Sequence, residues 1–82
     1  MSRHDKLLAK VFSGNTDAAV RFDEMRALLT RFGFNERIRG SHHIFTRPGI
    51  EALIDLQPKQ GKCKPYQVRQ VRDVLTKFNI SL

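Results

Sequence analysis

The chain has 82 residues, with 15 Lys and Arg against 8 Asp and Glu, a net charge of +7 and a pI near 10.4. So short a chain buries only about 60–65% of the surface its unfolded form exposes. That excludes a deep cofactor cavity and leaves one small domain over residues 1–82, while the charge favours polyanionic partners: nucleic acid first, then an acidic protein, then an anionic membrane.

The single cysteine, Cys63, rules out an internal disulfide and any cysteine-based zinc pattern. It is expected as a plain thiol rather than one half of an intermolecular bridge. No apolar run is long enough for a signal peptide or a membrane span, so the expectation is a soluble, cytoplasmic protein without metal or cofactor.

Residues 1–21 form an N-terminal extension. Within it Leu7, Leu8, Val11 and Phe12 have the spacing of a short amphipathic helix, docking through Leu8 and Phe12 and ended by Ser13-Gly14-Asn15. Phe22, Met25, Leu28, Leu29 and Phe32 then line one face of a second helix. Asp23 is its expected N-cap, with Phe22 before it, and Gly33 its left-handed C-terminal residue.

Residues 34–57 read as strands: Phe34 to Ile38, then Ser41 to Arg47 entered through Gly40, then a turn at Pro48-Gly49. The third strand, Ala52 to Leu56, alternates, with Ala52, Ile54 and Leu56 on one face and Leu53 and Asp55 on the other. The short spacings predict antiparallel hairpins. A loop over 57–64 leads to Pro65, suited to the first turn of a helix. Val68, Val71, Val74 or Leu75, and Phe78 repeat at helical spacing, and Asn79 closes the helix. The expected fold is α+β: a three-stranded antiparallel sheet with both main helices on one face, α-β-β-β-α, preceded by the short N-terminal helix. Double-stranded-RNA-binding domains share that layout.

Gly40-Ser41-His42-His43 carries the chemistry. Adjacent strand residues point to opposite faces, so His42 goes with Ile44 and Thr46, and His43 with Ser41 and Phe45. Each face then has one large apolar residue, and alternation leaves open which histidine is exposed. Histidine's ordinary pKa of about 6.5 lets an imidazole take the proton of a ribose 2′-hydroxyl as that oxygen attacks the adjacent phosphorus. Such a site needs no metal and spares DNA. Negative charge building on the phosphoryl oxygens calls for cations and N–H donors. Arg39 and Arg47 flank the histidines, Gly40 permits close backbone approach, and Ser41 can donate a hydrogen bond. On one regular strand Arg39, Ser41 and Arg47 share the face of His43, which favours His43 unless Gly40 introduces a bulge.

From Gln57 to Arg72 there are five basic residues and no acidic one: Lys59, Lys62, Lys64, Arg69 and Arg72. Lys62 and Lys64 precede a helix N-terminus, whose free N–H groups attract phosphate. Arg69 and Arg72 are neighbours on the helix surface, so the stretch forms a candidate phosphate track. Tyr66 is expected to cap the core rather than stack on a base.

Three segments resemble one known family. They are Leu29-Thr30-Arg31-Phe32-Gly33-Phe34, then Arg37-Ile38-Arg39-Gly40-Ser41-His42-His43-Ile44-Phe45, and Lys64-Pro65-Tyr66-Gln67-Val68-Arg69-Gln70-Val71-Arg72. Over about residues 22–80 the sequence is similar to the HicA (YcfA-like) toxins of bacterial toxin–antitoxin modules. The resemblance implies a double-stranded-RNA-binding-like fold and metal-independent cleavage of messenger RNA. It implies that the histidine directly after Gly-Ser, here His42, is catalytic, and that a HicB-type antitoxin covers the active site. His42 is therefore expected as the catalytic residue, with His43 the alternative. Arg39, Gly40, Ser41, Arg47, Lys62, Lys64, Arg69 and Arg72 are expected to contact RNA. Two features depart from the family pattern: a longer stretch before Phe22, and the missing His-Pro-type element after the second strand. A non-catalytic RNA-binding module of the same fold is the competing reading, and a DNA-binding or protein-interaction domain a third.

Overall fold

The computed structural model of the protein describes residues 3–13 and 20–80. Within them the chain forms helix α1 (Arg3–Ser13), helix α2 (Phe22–Arg31), strands β1 (Asn35–Arg39), β2 (His42–Thr46) and β3 (Ile54–Leu56), and helix α3 (Pro65–Lys77). The strands make one antiparallel sheet in the order β1-β2-β3. Phe45, Ile54 and Leu56 are fully buried on one face of that sheet. They join one apolar cluster with Leu7 and Val11 of α1, Met25, Leu28 and Leu29 of α2, and Val68, Val71 and Leu75 of α3. This is the expected α+β layout, and it is consistent with the double-stranded-RNA-binding type.

The helix ends explain the strand boundaries. Gly33 has φ +89° and follows the last turn of α2. Gly33 N–H donates to Thr30 O and Phe34 N–H to Leu29 O, both at 3.0 Å, the paired bonds of a Schellman ending. Phe34 is thereby spent on the helix end, and β1 starts one residue later than expected, at Asn35. Asn79 (φ 52°) and Ile80 close α3 in the same way, through bonds to Thr76 O and Leu75 O.

At the start of α2 the expectation fails. Arg21, not Asp23, is the N-cap, and no side chain caps the helix. Phe22 N–H instead donates to Gly61 O at 3.0 Å, while Cys63 N–H donates to Val20 O. Backbone from the 57–64 segment supplies the acceptor that a capping side chain normally provides. Asp23 lies inside the first turn, where negative charge suits the helix dipole. The 57–64 segment is itself folded back, with Lys59 and Lys62 exchanging backbone hydrogen bonds at 3.0 and 3.1 Å.

The N-terminal helix docks by other residues than expected. Leu7 and Val11 enter the core, whereas Leu8 is only partly buried and Phe12 is 42% exposed. Arg72 reaches across from α3 and donates to Val11 O at 3.1 Å, tying down the last turn of α1. Of its expected terminator, Gly14 and Asn15 lie outside the described residues. Among the described residues no helix is long and apolar enough to cross a membrane.

This docking gives the first prediction. Leu7→Ala should cost about 2–5 kcal/mol, the range for a buried leucine. Phe12→Ala should cost roughly 1 kcal/mol or less. Urea-unfolding midpoints of the two variants check the order.

Candidate active site at the His42 end of the sheet

The two histidines are separated by the pleat of β2. Phe45 is buried, so His43, two residues before it, also faces the helices. The His43 ring meets the Phe22 ring edge-on at 4.6 Å, and its Nδ1 lies 2.8 Å from Glu36 Oε2. Glu36 is also gripped by Arg26 of α2, through two bonds of 2.8 Å. Arg26 holds the Glu36 carboxyl below its ordinary range, with a smaller contribution from His43, against the opposing effect of burial. The Arg26 guanidinium is raised in turn by the same contact. His43 thus belongs to a network that fixes α2 to β1 and β2.

His42 points the other way and its side chain is 49% exposed. Its Nδ1 lies 3.0 Å from Asp55 Oδ1 and 3.2 Å from Oδ2. A carboxylate only accepts, so this contact holds the proton on Nδ1 and leaves Nε2 as the basic nitrogen. Asp55 comes from β3, where Ile54 and Leu56 are buried on the opposite face. A cavity of about 200 Å³ opens beside the pair, lined by His42, Asp55, Gln57, Tyr66, Gln67 and Gln70.

The hairpin between β1 and β2 decides what stands next to His42. Gly40 has φ +59°, suited to the first position of a II′-type two-residue turn, and Ser41 is the second. A Cβ on Gly40 would meet nothing within 4 Å, so the conformation, not the space, calls for glycine. Gly40 and Ser41 belong to the turn, and β2 begins at His42 instead of Ser41. Arg39 then pairs with His42 across the hairpin, and directly paired residues share a face. The one-strand expectation that grouped Arg39 with His43 is therefore corrected: the chain reverses between them. Ser41 Oγ accepts a bond of 2.8 Å from Gln57 Nε2, joining the turn to the end of β3.

The remaining candidates are spread along the molecule. Lys64 directly precedes α3, its N–H donating to Gln67 Oε1 at 3.1 Å. Gln67, 1% exposed, also donates to Gln57 O at 3.0 Å, which fixes the start of α3 to the end of β3. Lys62 bridges Arg21 and Lys59 by backbone pairing, and Arg69 is exposed on α3. Arg47 lies at the far end of β2, roughly 16 Å of strand from His42 at about 3.3 Å per residue. There it lines a separate depression with Pro48, Phe78 and Asn79. Arg72 is engaged with Val11 O.

Sequence reasoning missed Asp55, Gln57 and Arg37, and misplaced Tyr66. The signal for Asp55 was present in the alternation of β3. Arg37 alternates with Arg39 on the open sheet face and pairs with Ile44. Tyr66 was expected against the core but is 53% exposed. Pro65 starts α3 so that Val68 and Val71 point inward, which turns Tyr66 toward the His42 cavity. Cys63 is 3% exposed, and burial pushes its thiol up to about 12. That leaves very little thiolate for oxidation or exchange. Among the described residues no three His, Cys, Asp or Glu side chains gather as a metal site.

Comparison with protein-family models matches residues 22–79 to a family described as HicA toxin of bacterial toxin–antitoxin. That range runs from the first residue of α2 to the C-terminal closure of α3 and leaves α1 outside. Comparison with curated proteins and with solved structures gives no match.

The Glu36 network gives a prediction for pH. Its folded-state carboxyl titrates below the unfolded one, so its stabilisation is present above the unfolded pKa of about 4.3 and is lost as pH falls through the lower folded value. The melting-temperature gap between wild type and Glu36→Gln should be fully open above about pH 5 and close on acidification below about pH 4. Thermal unfolding across a pH series checks this.

Proposed function

The chain belongs to the HicA toxin family of bacterial toxin–antitoxin systems, and from that premise we propose that it is a metal-independent endoribonuclease that cleaves messenger RNA through His42. The observation that carries this reading is the His42–Asp55 pair, a half-exposed imidazole whose Nδ1 is held by a carboxylate at 3.0 Å beside an open cavity. His43 is engaged with Glu36 and Phe22 and has no comparable freedom.

In the proposed reaction, Nε2 of His42 takes the proton of a 2′-hydroxyl. The 2′-oxygen forms a bond to phosphorus, and the bond from phosphorus to the 5′-oxygen breaks. The leaving oxygen takes a proton from solvent, and the imidazolium returns its own to solvent. The products are a 2′,3′-cyclic phosphate and a 5′-hydroxyl end. Asp55 acts as a positioning residue, fixing the ring and its tautomer. Arg39, paired with His42 across the hairpin, and the Ser41 hydroxyl supply charge and a donor for the phosphoryl oxygens. Gly40 lets the phosphate approach the turn backbone.

Arg37, Lys62, Lys64 and Arg69 extend the positive surface along the strand of RNA. Arg47 stands at the far end of β2 and Arg72 is engaged with Val11 O, so this reading leaves both off the RNA path. In this reading the protein works in the cytoplasm, and a HicB-type antitoxin inhibits it by covering the His42 end of the sheet.

Cleavage of an mRNA transcript tests the reading. His42→Ala should lower the rate by about 10²–10⁴-fold while the fold is kept, and growth inhibition in cells should disappear with it. Asp55→Asn should lower kcat and leave RNA affinity unchanged. Wild-type cleavage should survive EDTA, whereas loss on chelation would remove the metal-free mechanism. A wild-type protein that binds RNA and leaves it intact would make the chain a binding module only.

A further inference from the structure

We propose that the cavity beside His42 is a subsite for one unstacked nucleobase, with Tyr66 as its stacking platform. The inference rests on the nuclease reading above and names the substrate class: single-stranded or looped RNA rather than a duplex.

Size is the first argument. A volume of about 200 Å³ lies below the roughly 300–1,000 Å³ of pockets that take whole small molecules. It suits one planar heterocycle, the rest of the polymer lying on the surface outside. The lining chemistry is the second. Besides the His42 imidazole, Tyr66 supplies the only ring of the cavity among the described residues, and Gln57 and Gln70 supply amides, the Gln67 amide being buried and committed to Gln57 O and Lys64 N–H. A ring with amide edges around it is the set that holds a base by its face and meets its hydrogen-bonding edge.

Preorganisation is the third. Tyr66 is 53% exposed, so it can be reached from outside. Yet its place is fixed from below. Pro65 starts the helix, Gln67 is buried and bonded to both Gln57 O and Lys64 N–H, and its Nε2 lies 3.5 Å from the phenol oxygen. A platform already in position loses little freedom when a base arrives.

The reaction demands the same thing. In-line attack needs the 2′-oxygen opposite the leaving 5′-oxygen, an arrangement that regular A-form stacking forbids. Drawing one base out of the stack and onto Tyr66, next to the nitrogen that takes the proton, bends the backbone toward that alignment.

The sequence contains one tyrosine and no tryptophan, so tyrosine fluorescence reports on Tyr66 alone. The probe is a mixed-sequence 2′-O-methyl RNA oligonucleotide carrying a fluorescent end label, which has no 2′-hydroxyl to attack. Binding is followed by anisotropy and stacking by quenching of Tyr66. The single strand should bind with quenching that tracks saturation, and the same sequence as a duplex should quench far less. Tyr66→Ala should weaken single-strand binding about 5–150-fold, the range for loss of one stacked base. Tyr66→Phe should restore it.

Binding without quenching, or equal quenching by duplex and single strand, would overturn the subsite and leave the nuclease reading standing. No binding by a wild-type protein that still cleaves RNA would overturn the subsite alone. No binding and no cleavage would remove both.

Discussion

The seat of Phe45 in the core is the constraint on which the site depends. Its ring is fully buried beneath the helices, and it fixes which face of β2 looks inward. A strand turns over every residue, so His43 must follow Phe45 inward and His42 must look out. The same rule, applied across the ladder, puts Arg39 beside His42 and seats Asp55 opposite the buried Ile54 and Leu56. A slip of β2 by one residue would exchange the histidines and expose Phe45, at the cost of about 1.5–3 kcal/mol for the phenyl ring alone. The core thereby enforces the orientation of the proposed catalytic ring.

Each histidine has a carboxylate partner at its Nδ1, but the surroundings differ. His43 shares Glu36 with Arg26 and packs against Phe22, so its contacts join α2, β1 and β2. His42 has Asp55 and, beside the pair, a cavity. Two identical residues at consecutive positions are thus divided between holding the fold and facing solvent. The division follows from the pleat and requires no difference in local sequence.

The positive charge is divided in the same way. Arg26 and Arg72 are bound to protein groups, a carboxylate and a helix-terminal carbonyl. Arg47 stands beside the end of α2, its Nε 3.7 Å from where a Cβ of Gly33 would lie. Arg39 is brought beside His42 by the hairpin, and Lys64 stands at the start of α3. Net charge is therefore a poor guide to the size of any anion-binding surface. Position on the sheet is the better one.

The sequence by itself determined the elements, their order and the class of the fold, because apolar spacing and the Gly33, Pro48-Gly49, Pro65 and Asn79 signals act over a few residues. It also marked Gly40-Ser41-His42-His43 as the segment of the proposed chemistry, through residue type and family resemblance. Only the tertiary structure decided that His42 faces out, that Asp55 holds it, and that Tyr66 stands at its side instead of in the core. Asp55 is 13 residues from His42 and Tyr66 is 24. Their meeting depends on strand register and on the angle at which α3 leaves β3, which many side chains set together and no short stretch of sequence encodes. The same reason explains the reversal at α1, where the partner surfaces on α2 and α3 select Leu7 and Val11 over Leu8 and Phe12.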